Sequence, residues 1–333
     1  MRPIRSLHAL YKQRGPVPQD VIEAVEFDLP ELAGGQVLVE VLAAPINPSD
    51  VLTLTGEYGT LPPLPAVGGN EGVGRVLEVG ADVSNLKSGQ TVLLPVGCGT
   101  WTTHLVADAK ALMALPEGAD PRQLSMLTVN PPTASLLLGS IVDLEPRGWV
   151  IQNTANSAVG GYVVQLAKAR GLRTINVVRR ESARAGVEAL GADIVLVDGD
   201  DLAARVKEAT TGSAIALGID AVGGMATERL AQCLSPGGTL VNYGAMSGEP
   251  CAISPGSLIF RGISLRGFWL ARWFKVASAE ERTQVFGELV GLIAAGKLAA
   301  PIQATYGIDR IKDAVAAAAA GERSGKILVT PNG

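Results

Sequence analysis

The spacing of hydrophobic and polar residues divides the chain into three parts, and the first part predicts β-strands. Up to about residue 115, short apolar or alternating runs are separated by turns rich in glycine, proline and aspartate, which is typical of strands. The predicted strands are Ile4–Leu10, Val21–Phe27, Gln36–Ala43, Gly74–Val79, Thr91–Leu94 and Leu105–Ala107. A Pro-Ser-Asp sequence at Pro48 predicts one short helix. Tyr58 follows that helix in a Gly-Glu-Tyr-Gly loop.

The middle part predicts alternating strands and helices, beginning with a βαβ unit. A buried strand is expected over Trp149–Ile151, followed by small and polar residues from 153 to 161. A helical pattern then places Val159, Val163, Leu166 and Ala167 on one face, with Gly171 as its C-cap. The second strand is expected over Thr174–Val178, which closes a βαβ unit of the usual size.

Further alternation downstream predicts a complete doubly wound α/β sheet of six parallel strands. The additional strands are expected at Asp193–Val197, Leu217–Val222, Thr239–Tyr243 and Ser264–Trp269, with helices at Ser182–Leu190 and Ala226–Cys233. Loops at the carboxyl ends of such strands border the ligand, so we expect residues 220–224 and 243–246 to lie beside a cofactor.

The last part predicts a segment that returns to the first domain. It contains an amphipathic helix, a strand, an alanine-rich helix and a strand, at Glu280–Ala295, Pro301–Gly307, Asp309–Ala320 and Lys326–Thr330. The predicted division is therefore residues 1–119, residues 120–269 and a return segment from 270 to 333, with a cleft between domains for substrate.

The βαβ unit is interpreted as a dinucleotide site, although its glycine pattern is weak. The expected G-x-G-x-x-G reads here as Ala155, Ser157 or Ala158, and Gly160, so an ordinary βαβ turn stays an alternative. The second strand ends in Arg179-Arg180, where an NAD site normally has an acidic residue. Two guanidinium groups suit a 2′-phosphate, which predicts NADPH, and two solvated arginines are the alternative.

Composition narrows the class of protein. The chain has 333 residues, and its net charge of −4 with no basic block argues against nucleic-acid binding as the main task. Cys98, Cys233 and Cys251 are few and scattered, as in a reducing compartment. No signal-peptide pattern occurs, and residues 123–142 predict a helix, a break and a second helix rather than a membrane span. A soluble cytoplasmic protein is expected.

The sequence lacks the motifs of metal sites, of serine hydrolases and of Walker-type nucleotide binding. His8 and His104 are the two histidines, neither at ligand spacing from a cysteine or carboxylate, and C-x-x-C is absent, so no metal site is expected. The nucleophile elbow G-x-S-x-G and Walker-type phosphate loops are also absent. A zinc-free hydride transferase fits best, and such an enzyme needs a nicotinamide, a dry cleft and a proton donor.

Four stretches carry a resemblance to a known family. They are Ile46-Asn-Pro-Ser-Asp, the Gly56-Glu-Tyr-Gly loop with Pro65-Ala-Val-Gly-Gly-Asn-Glu-Gly-Val, the segment from Val150-Ile-Gln-Asn-Thr-Ala-Asn-Ser-Ala-Val-Gly to Arg179, and Leu265-Arg-Gly-Phe-Trp-Leu. On these the chain resembles the zinc-independent medium-chain dehydrogenase/reductase superfamily over nearly its full length. Within it, the mitochondrial-type 2-enoyl thioester reductases look most similar.

The resemblance implies a GroES-like β-barrel domain beside a Rossmann doubly wound parallel sheet, usually paired into a homodimer through the Rossmann sheets. It also accounts for the missing metal ligands. Zinc-binding relatives carry a cysteine and a Gly-His-Glu in the segments that match Ile46–Asp50 and Gly69–Glu71. In this chain Asn70 stands in place of the histidine.

Site residues follow from the same resemblance. Tyr58 is implied as the catalytic residue, either as the proton donor or as the hydrogen-bond donor to an enolate. Phe268, Trp269 and Asn47 are implied to line the substrate pocket. Residues implied to bind NADPH are Asn153, Asn156, Ser157, Ala158, Val159, Gly160, Arg179, Arg180, Tyr243, Gly244, Met246, Phe268 and Trp269. Arg272 and Lys275 are candidates for the phosphates of coenzyme A or an acyl carrier protein, with a solvated basic face as the alternative.

Three functions remain open at this point. The first is NADPH-dependent reduction of a 2-enoyl thioester by hydride transfer to its β-carbon. The second is a zinc-free NADPH:quinone or enone oxidoreductase of the same superfamily. The third is an NADPH-binding protein with a structural or regulatory role and no catalysis, against which the retention of Tyr58 and the phosphate loop counts.

Overall fold

The computed structural model describes residues 5–321 and 323–333. Their β-strands are β1 Ser6–Tyr11, β2 Ile22–Phe27, β3 Gln36–Ile46, β4 Ala66–Val67, β5 Val73–Val79, β6 Thr91–Leu93, β7 His104–Asp108, β8 Met113–Ala114, β9 Trp149–Gln152, β10 Arg173–Val178, β11 Ile194–Val197, β12 Ile215–Asp220, β13 Thr239–Asn242, β14 Ser264–Gly267, β15 Ile302–Tyr306 and β16 Lys326–Val329. Ile4, the predicted start of the first strand, lies outside the described residues.

The α-helices of the same residues are α1 Pro48–Thr55, α2 Pro121–Leu124, α3 Asn130–Gly139, α4 Ala158–Ala169, α5 Arg184–Glu188, α6 Leu202–Ala209, α7 Gly224–Cys233, α8 Leu270–Val276, α9 Ala279–Ala294 and α10 Ile311–Ala319. Short 3₁₀ turns occur at Pro18–Asp20, Ala109–Ala111, Glu181–Ala183 and Ile308–Arg310, and a π-helical turn at Gly256–Phe260. In the described part of the chain, no helix is both long and apolar enough to cross a membrane.

The chain forms two compact units whose limits differ from the predicted boundaries. One unit contains the chain up to Val129 together with the segment from Phe286 onward, and the other contains Asn130–Val285. The sequence placed these limits at 119 and 269. Helix α2 stays with the first unit because the Gln123 side chain exchanges hydrogen bonds of 3.1 and 2.9 Å with the backbone of Ala300. Polar side-chain contacts of this kind leave no hydrophobic pattern in the sequence.

The second unit is built on a six-stranded sheet in the order β11-β10-β9-β12-β13-β14. Every neighbouring pair is parallel, which confirms the predicted doubly wound sheet. The central strands β9, β10 and β12 are mostly buried, as is typical of parallel strands covered on both faces, and Ile151, Ile175 and Leu240 are fully buried. The chain runs outward from β9 to β11 and then returns to β12, so the order reverses between β9 and β12. Ligands of such sheets bind at the carboxyl ends beside this reversal.

The first unit contains two antiparallel β layers and a parallel pair contributed by the C-terminal segment. Its larger sheet runs β15-β16-β3-β5-β6-β8, with β7 also paired to β3, and a smaller sheet runs β2-β1-β4. The last strand, β16, pairs antiparallel with β3, aligning Leu328 with Pro45. Trp101, Ile46 and Val315 are fully buried in the core that joins these sheets to α10.

Two helices were not specifically predicted, and one predicted helix is shorter than expected. Helices α6 and α8 occupy short segments that the periodicity did not single out. The predicted helix Ser182–Leu190 is a 3₁₀ turn followed by the five residues of α5. Gly191 follows with φ of +93°, a left-handed conformation that ends helices and that residues with a side chain rarely adopt.

Candidate active site

The loop between β9 and α4 positions the residues predicted to bind phosphate. Ser157 is the N-cap of α4, and its Oγ accepts a hydrogen bond of 3.1 Å from the Gly160 backbone N–H. Backbone N–H groups in the first turn of a helix have no intrahelical acceptor, and sites that bind pyrophosphate make use of them. Asn156 is exposed beside this turn, and Ala158 and Val159 begin the helix.

Gly160 is required by a close approach of two backbone segments. A Cβ atom at this position would lie 2.6 Å from the carbonyl oxygen of Ala155 and 2.7 Å from that of Thr154. Helix α4 therefore packs directly on the loop that leaves β9. This is the role of the last glycine in a dinucleotide fingerprint, and it explains why glycine is required here although the earlier glycine positions hold other residues.

The neighbouring strand β10 brings the arginine pair to the same edge of the sheet. The loop contacts this strand, since the Ala155 N–H donates to the Val177 carbonyl at 3.3 Å. Arg179 is exposed and Arg180 is half-buried immediately after the strand. Their position at the carboxyl end of β10 is the one where a dinucleotide site recognises the adenosine ribose.

Strands β13 and β14 supply the other predicted cofactor residues at this edge. The Tyr243 hydroxyl is hydrogen-bonded to Ser157, and its burial raises the pKa of the phenol. A Cβ on Gly244 would lie 2.9 Å from the Ala221 carbonyl oxygen, so the two loops are in close contact. The side chains of Met246 and Trp269 are 64% and 42% exposed, which leaves apolar surface open at this edge.

Two further polar residues lie at this edge: Asp220, which was predicted only as the first residue of the 220–224 loop beside a cofactor, and Asn242, which was not predicted as a site residue. Asp220 ends β12 with its carboxylate fully buried, and Asn242 ends β13. Asp220 Oδ1 accepts from Asn153 Nδ2 at 2.6 Å, and its Oδ2 accepts from Asn242 Nδ2 at 3.1 Å. The amide of Asn153, predicted to bind cofactor, therefore points at Asp220 and is 5% exposed.

In the first unit, the predicted catalytic residue Tyr58 lies just after α1. Gly56 ends that helix with φ of +89°, and the N–H groups of Gly56, Glu57 and Tyr58 all donate to the Leu52 carbonyl, at 2.8–3.2 Å. The Arg14 guanidinium donates to the Pro62 carbonyl and braces the following loop. This capping fixes the backbone at Tyr58, while its side chain is half-buried.

A cluster of buried polar side chains lies at the start of α1. Asn47 Nδ2 donates to Glu71 Oε1 at 2.7 Å, and Asn70 Nδ2 donates to Asp50 Oδ1 at 2.7 Å. The Lys326 ammonium donates to Asn47 Oδ1. Asn47, 2% exposed, was predicted to line the substrate pocket, but its amide is engaged inside this cluster.

The titratable groups of this cluster have shifted pKa values because they are buried. Burial raises the pKa of Asp50 to about 6 and that of Glu71 to about 7, and the Lys326 charge opposes both shifts. Burial lowers the pKa of Lys326 to about 8, against the attraction of Glu71 and Asp50. Glu71 Oε2 also accepts the backbone N–H groups of residues 128 and 129, at 3.0 and 2.9 Å.

Two family models match the chain. The alcohol dehydrogenase GroES-like domain matches residues 33–117, and the zinc-binding dehydrogenase domain matches residues 158–287. The mitochondrial enoyl-[acyl-carrier-protein] reductase of Rattus norvegicus is 42% identical over 290 residues, which are 85% of this chain and 78% of the rat protein. The Homo sapiens enzyme of the same name is 40% identical over 305 residues, 90% of this chain and 82% of that protein.

Solved structures agree with the sequence relatives. The complex of Etr1p with NADP and crotonyl-CoA matches with a TM-score of 0.90 at 30% identity, over 98% of this chain and 100% of that one. The mitochondrial 2-enoyl thioester reductase Etr1p/Etr2p heterodimer from Candida tropicalis gives 0.89 at 30%, with the same coverage. A structure assigned as an NADPH:quinone reductase from Bacillus thuringiensis gives 0.89 at 28%, over 98% and 99%.

The chain belongs to the 2-enoyl thioester reductases of the medium-chain dehydrogenase/reductase superfamily. It is an oxidoreductase, and the predicted fold class of a GroES-like domain with a Rossmann sheet is confirmed. The prediction of a cytoplasmic protein is wrong by this comparison, since the rat and human relatives are mitochondrial by name. Unpaired, scattered cysteines indicate a reducing environment, and that composition does not distinguish one such compartment from another.

The residues at the positions of the zinc ligands in related dehydrogenases do not fit zinc. Zinc sites use thiolate, imidazole or carboxylate donors. Here Asn70 and Asn47 hold the nearby carboxylates, and the ammonium of Lys326 brings a positive charge that would repel a dication. Among residues 5–321 and 323–333, no group of three or more histidine, cysteine, aspartate or glutamate side chains could hold a metal ion.

We predict that Lys326→Met destabilises the first unit more at pH 7 than at pH 5. The raised pKa values mean that Asp50 and Glu71 keep protons in the folded state that the unfolded chain has lost, so their contribution to stability falls as the pH rises from about 4 to about 7. Without the ammonium, the carboxylates that form at pH 7 are buried with no cation, which costs about 3 kcal/mol. At pH 5 both are largely neutral and the loss is smaller.

Urea denaturation at the two pH values measures this difference. Lys312→Met is the matched control, because Lys312 is exposed on α10 in the same unit. A loss for Lys326→Met that is equal at both pH values would contradict the assignment of Lys326 as the counter-ion of these carboxylates.

Proposed function

We propose that this chain catalyses the NADPH-dependent reduction of the α,β double bond of a 2-enoyl thioester. The observation that carries the proposal is the 42% identity with an enoyl-[acyl-carrier-protein] reductase over 85% of the chain. The complex of Etr1p with NADP and crotonyl-CoA, at 30% identity, agrees with both the cofactor and the class of substrate.

The second unit has the groups that NADPH requires. The N-terminus of α4, capped by Ser157, suits the pyrophosphate, and Arg179 with Arg180 suits the 2′-phosphate through charge-assisted hydrogen bonds. Tyr243, Gly244 and Met246 border the same edge of the sheet. The bound cofactor supplies a hydride, which goes to the β-carbon of the thioester.

Tyr58 is proposed to act on the enolate that forms when the hydride is added. Hydride addition at the β-carbon moves an electron pair toward the thioester carbonyl, so an enolate develops and the α-carbon then takes a proton. The phenol of Tyr58 either donates a hydrogen bond to the enolate oxygen or delivers that proton. The capped end of α1 holds the Tyr58 backbone in place for either role.

The substrate is proposed to meet aromatic and basic side chains of the second unit. Phe268 and Trp269 follow β14 and supply apolar surface for the acyl chain. Arg272 and Lys275 are exposed on α8, with the Lys275 ammonium 6.0 Å from the centre of the Trp269 ring. Two cations beside the acyl surface suit the phosphates of coenzyme A or of a carrier protein's pantetheine arm.

We infer that the protein forms a homodimer through the second unit. Strand β14 is at the end of the sheet order, so one side of it has no partner strand among the described residues. Beside it, Ile259 and Phe260 are 70% and 86% exposed. Exposed edges and large apolar side chains of this kind are typical of subunit interfaces. Sedimentation equilibrium should give twice the chain mass of 34.3 kDa, and a monomer would refute the dimer.

We predict that the purified protein oxidises NADPH with crotonyl-CoA and with longer 2-enoyl-CoA esters. Absorbance at the nicotinamide band measures the rate, and a quinone is assayed in parallel because of the likeness to an NADPH:quinone reductase. Activity with the quinone and none with the thioesters would reject the proposed function. Since we propose a zinc-independent reaction, a metal chelator should leave the rate unchanged.

We predict that Tyr58→Phe lowers kcat for the thioester by about 100-fold or more, the range for loss of an acid–base group. Binding of NADPH should stay within about twofold, because the phenol is not proposed to hold the cofactor. Tyr306→Phe, at a half-buried tyrosine of the same unit, is the matched control and should keep full activity. Full activity of Tyr58→Phe would remove Tyr58 from the reaction.

We predict that Arg179→Ala raises KM for NADPH by about tenfold or more and changes KM for NADH by less than about threefold. The lost contact is a charge-assisted hydrogen bond, and NADH lacks the phosphate that receives it. Arg173→Ala is the control, because Arg173 lies at the opposite end of the same strand and packs on Trp149 at 4.3 Å. An equal effect on both cofactors would contradict the assignment of Arg179 to the 2′-phosphate.

A further inference from the structure

The buried carboxylate of Asp220 joins three separate loops at the carboxyl edge of the second unit's sheet. Its Oδ1 accepts from Asn153 Nδ2 at 2.6 Å and from the backbone N–H groups of Val222 and Gly223, at 2.8 and 3.2 Å. Its Oδ2 accepts from Thr227 Oγ1 at 2.7 Å and from Asn242 Nδ2 at 3.1 Å. These five donors belong to the loop after β9, the turn after β12, helix α7 and the end of β13.

Two of the hydrogen-bond partners of Asp220, Asn153 and Asn242, make further hydrogen bonds to the neighbouring loops. Asn153 Oδ1 accepts from the Ala221 N–H at 2.8 Å, so the first loop is bound to the second at two points. Asn242 Nδ2 also donates to the Gly244 carbonyl at 2.9 Å, and the backbone carbonyl of Asn242 accepts from the Phe268 N–H at 2.8 Å. Through two asparagines, one carboxylate therefore sets the backbone on which Gly244 and Phe268 lie.

All five donors are neutral groups, and the carboxylate that accepts from them is fully buried, with Asn153 and Thr227 buried as well, which makes the arrangement sensitive to the acceptor. A buried N–H or hydroxyl that loses its acceptor carries the full cost of its desolvation. A carboxylate presents acceptor oxygens on both sides, whereas an amide of the same shape presents an NH₂ group on one side. No isosteric replacement can therefore satisfy both sets of donors at Asp220.

We propose that Asp220 is a positioning residue for the nicotinamide cofactor, which it does not itself contact. It holds the phosphate loop, the turn after β12 and the loop after β13 in one arrangement before the cofactor arrives. Loops fixed in this way bind without the cost of ordering them at each encounter. The inference rests on the proposed function for the identity of the cofactor, NADPH, and it adds Asp220, Asn153 and Asn242 as its support.

Asp220→Asn tests this assignment. With the amide oxygen facing the Val222 and Gly223 N–H groups, the new NH₂ group points at Asn242 Nδ2, and two donors then face each other. We expect Kd and KM for NADPH to rise tenfold or more, while kcat at saturating NADPH stays within threefold. Kd is measured by the fluorescence of bound NADPH in the absence of thioester.

Thr227→Val is the matched control. It removes a hydrogen bond from the same carboxylate, but its donor belongs to α7 and to none of the three loops. We expect it to lower the melting temperature while Kd for NADPH stays within twofold. A purely structural role would instead make the two variants alike, with both lowering the melting temperature and neither changing Kd.

A second variant gives an independent measurement. If Asp220→Asn does not fold, Asn242→Ala removes one loop from the carboxylate and should raise Kd for NADPH at least threefold. An unchanged Kd in the folded variants overturns the inference.

These outcomes are separable from the failure of the proposed function. Weakened NADPH binding in Asp220→Asn together with no thioester reduction by the unaltered protein would support the inference and reject the reductase. Thioester reduction by the unaltered protein together with an unchanged Kd for NADPH in Asp220→Asn would support the reductase and reject the inference. An unaltered protein that binds no NADPH would reject both.

Discussion

The parallel hydrogen-bonded ladder of the second unit is the constraint on which its site depends. Six strands in one direction place six carboxyl ends at a single edge, so residues far apart in the chain become neighbours. Asn153, Arg179, Asp220, Asn242 and Phe268 each follow or end a different strand, yet several of them are joined by direct hydrogen bonds. The helices that cover both faces bury the apolar strands and leave this edge to carry the polar groups.

The first unit depends on a different interaction, a buried set of amides, carboxylates and one ammonium. Asn47 lies at its centre, accepting from Lys326 and donating to Glu71. In the zinc-binding relatives the matching segments supply metal ligands, and here the same part of the chain is closed by side-chain hydrogen bonds. The cluster thus fixes the start of α1, the helix whose capped end presents Tyr58.

Much of the fold followed from the sequence because its elements are local. The central strands of four to six residues and the helix over Ala158–Ala169 leave direct apolar patterns, and all six parallel strands were predicted within a few residues. The cofactor loop was recognisable by the glycine at the last position of the fingerprint. Gly160 has backbone carbonyls where a Cβ would be, whereas fully buried Ala155 shows that the earlier position accommodates a methyl group.

The polar interior could not be predicted in the same way, because hydrogen bonds between distant residues leave no periodicity. Asn153 and Asp220 are 67 positions apart, and Asn47 and Lys326 are 279 apart. From the sequence, Asn47 belonged to the substrate pocket and Lys326 was the start of a strand. The one available signal was a set of polar residues at strand ends, Asp220 and Asn242 among them, in positions where apolar residues would satisfy the packing.

The pairing of β16 with β3 has a consequence for the order in which the chain can fold during synthesis. Residues 130–285 form a contiguous unit and have all of their sheet partners once they leave the ribosome. The β-rich N-terminal segment emerges earlier, but it lacks β16 and the Lys326 ammonium until almost the whole chain has been made. Until then the carboxylates of Asp50 and Glu71 have no counter-ion to be buried with, so the first part synthesised is the last to be completed.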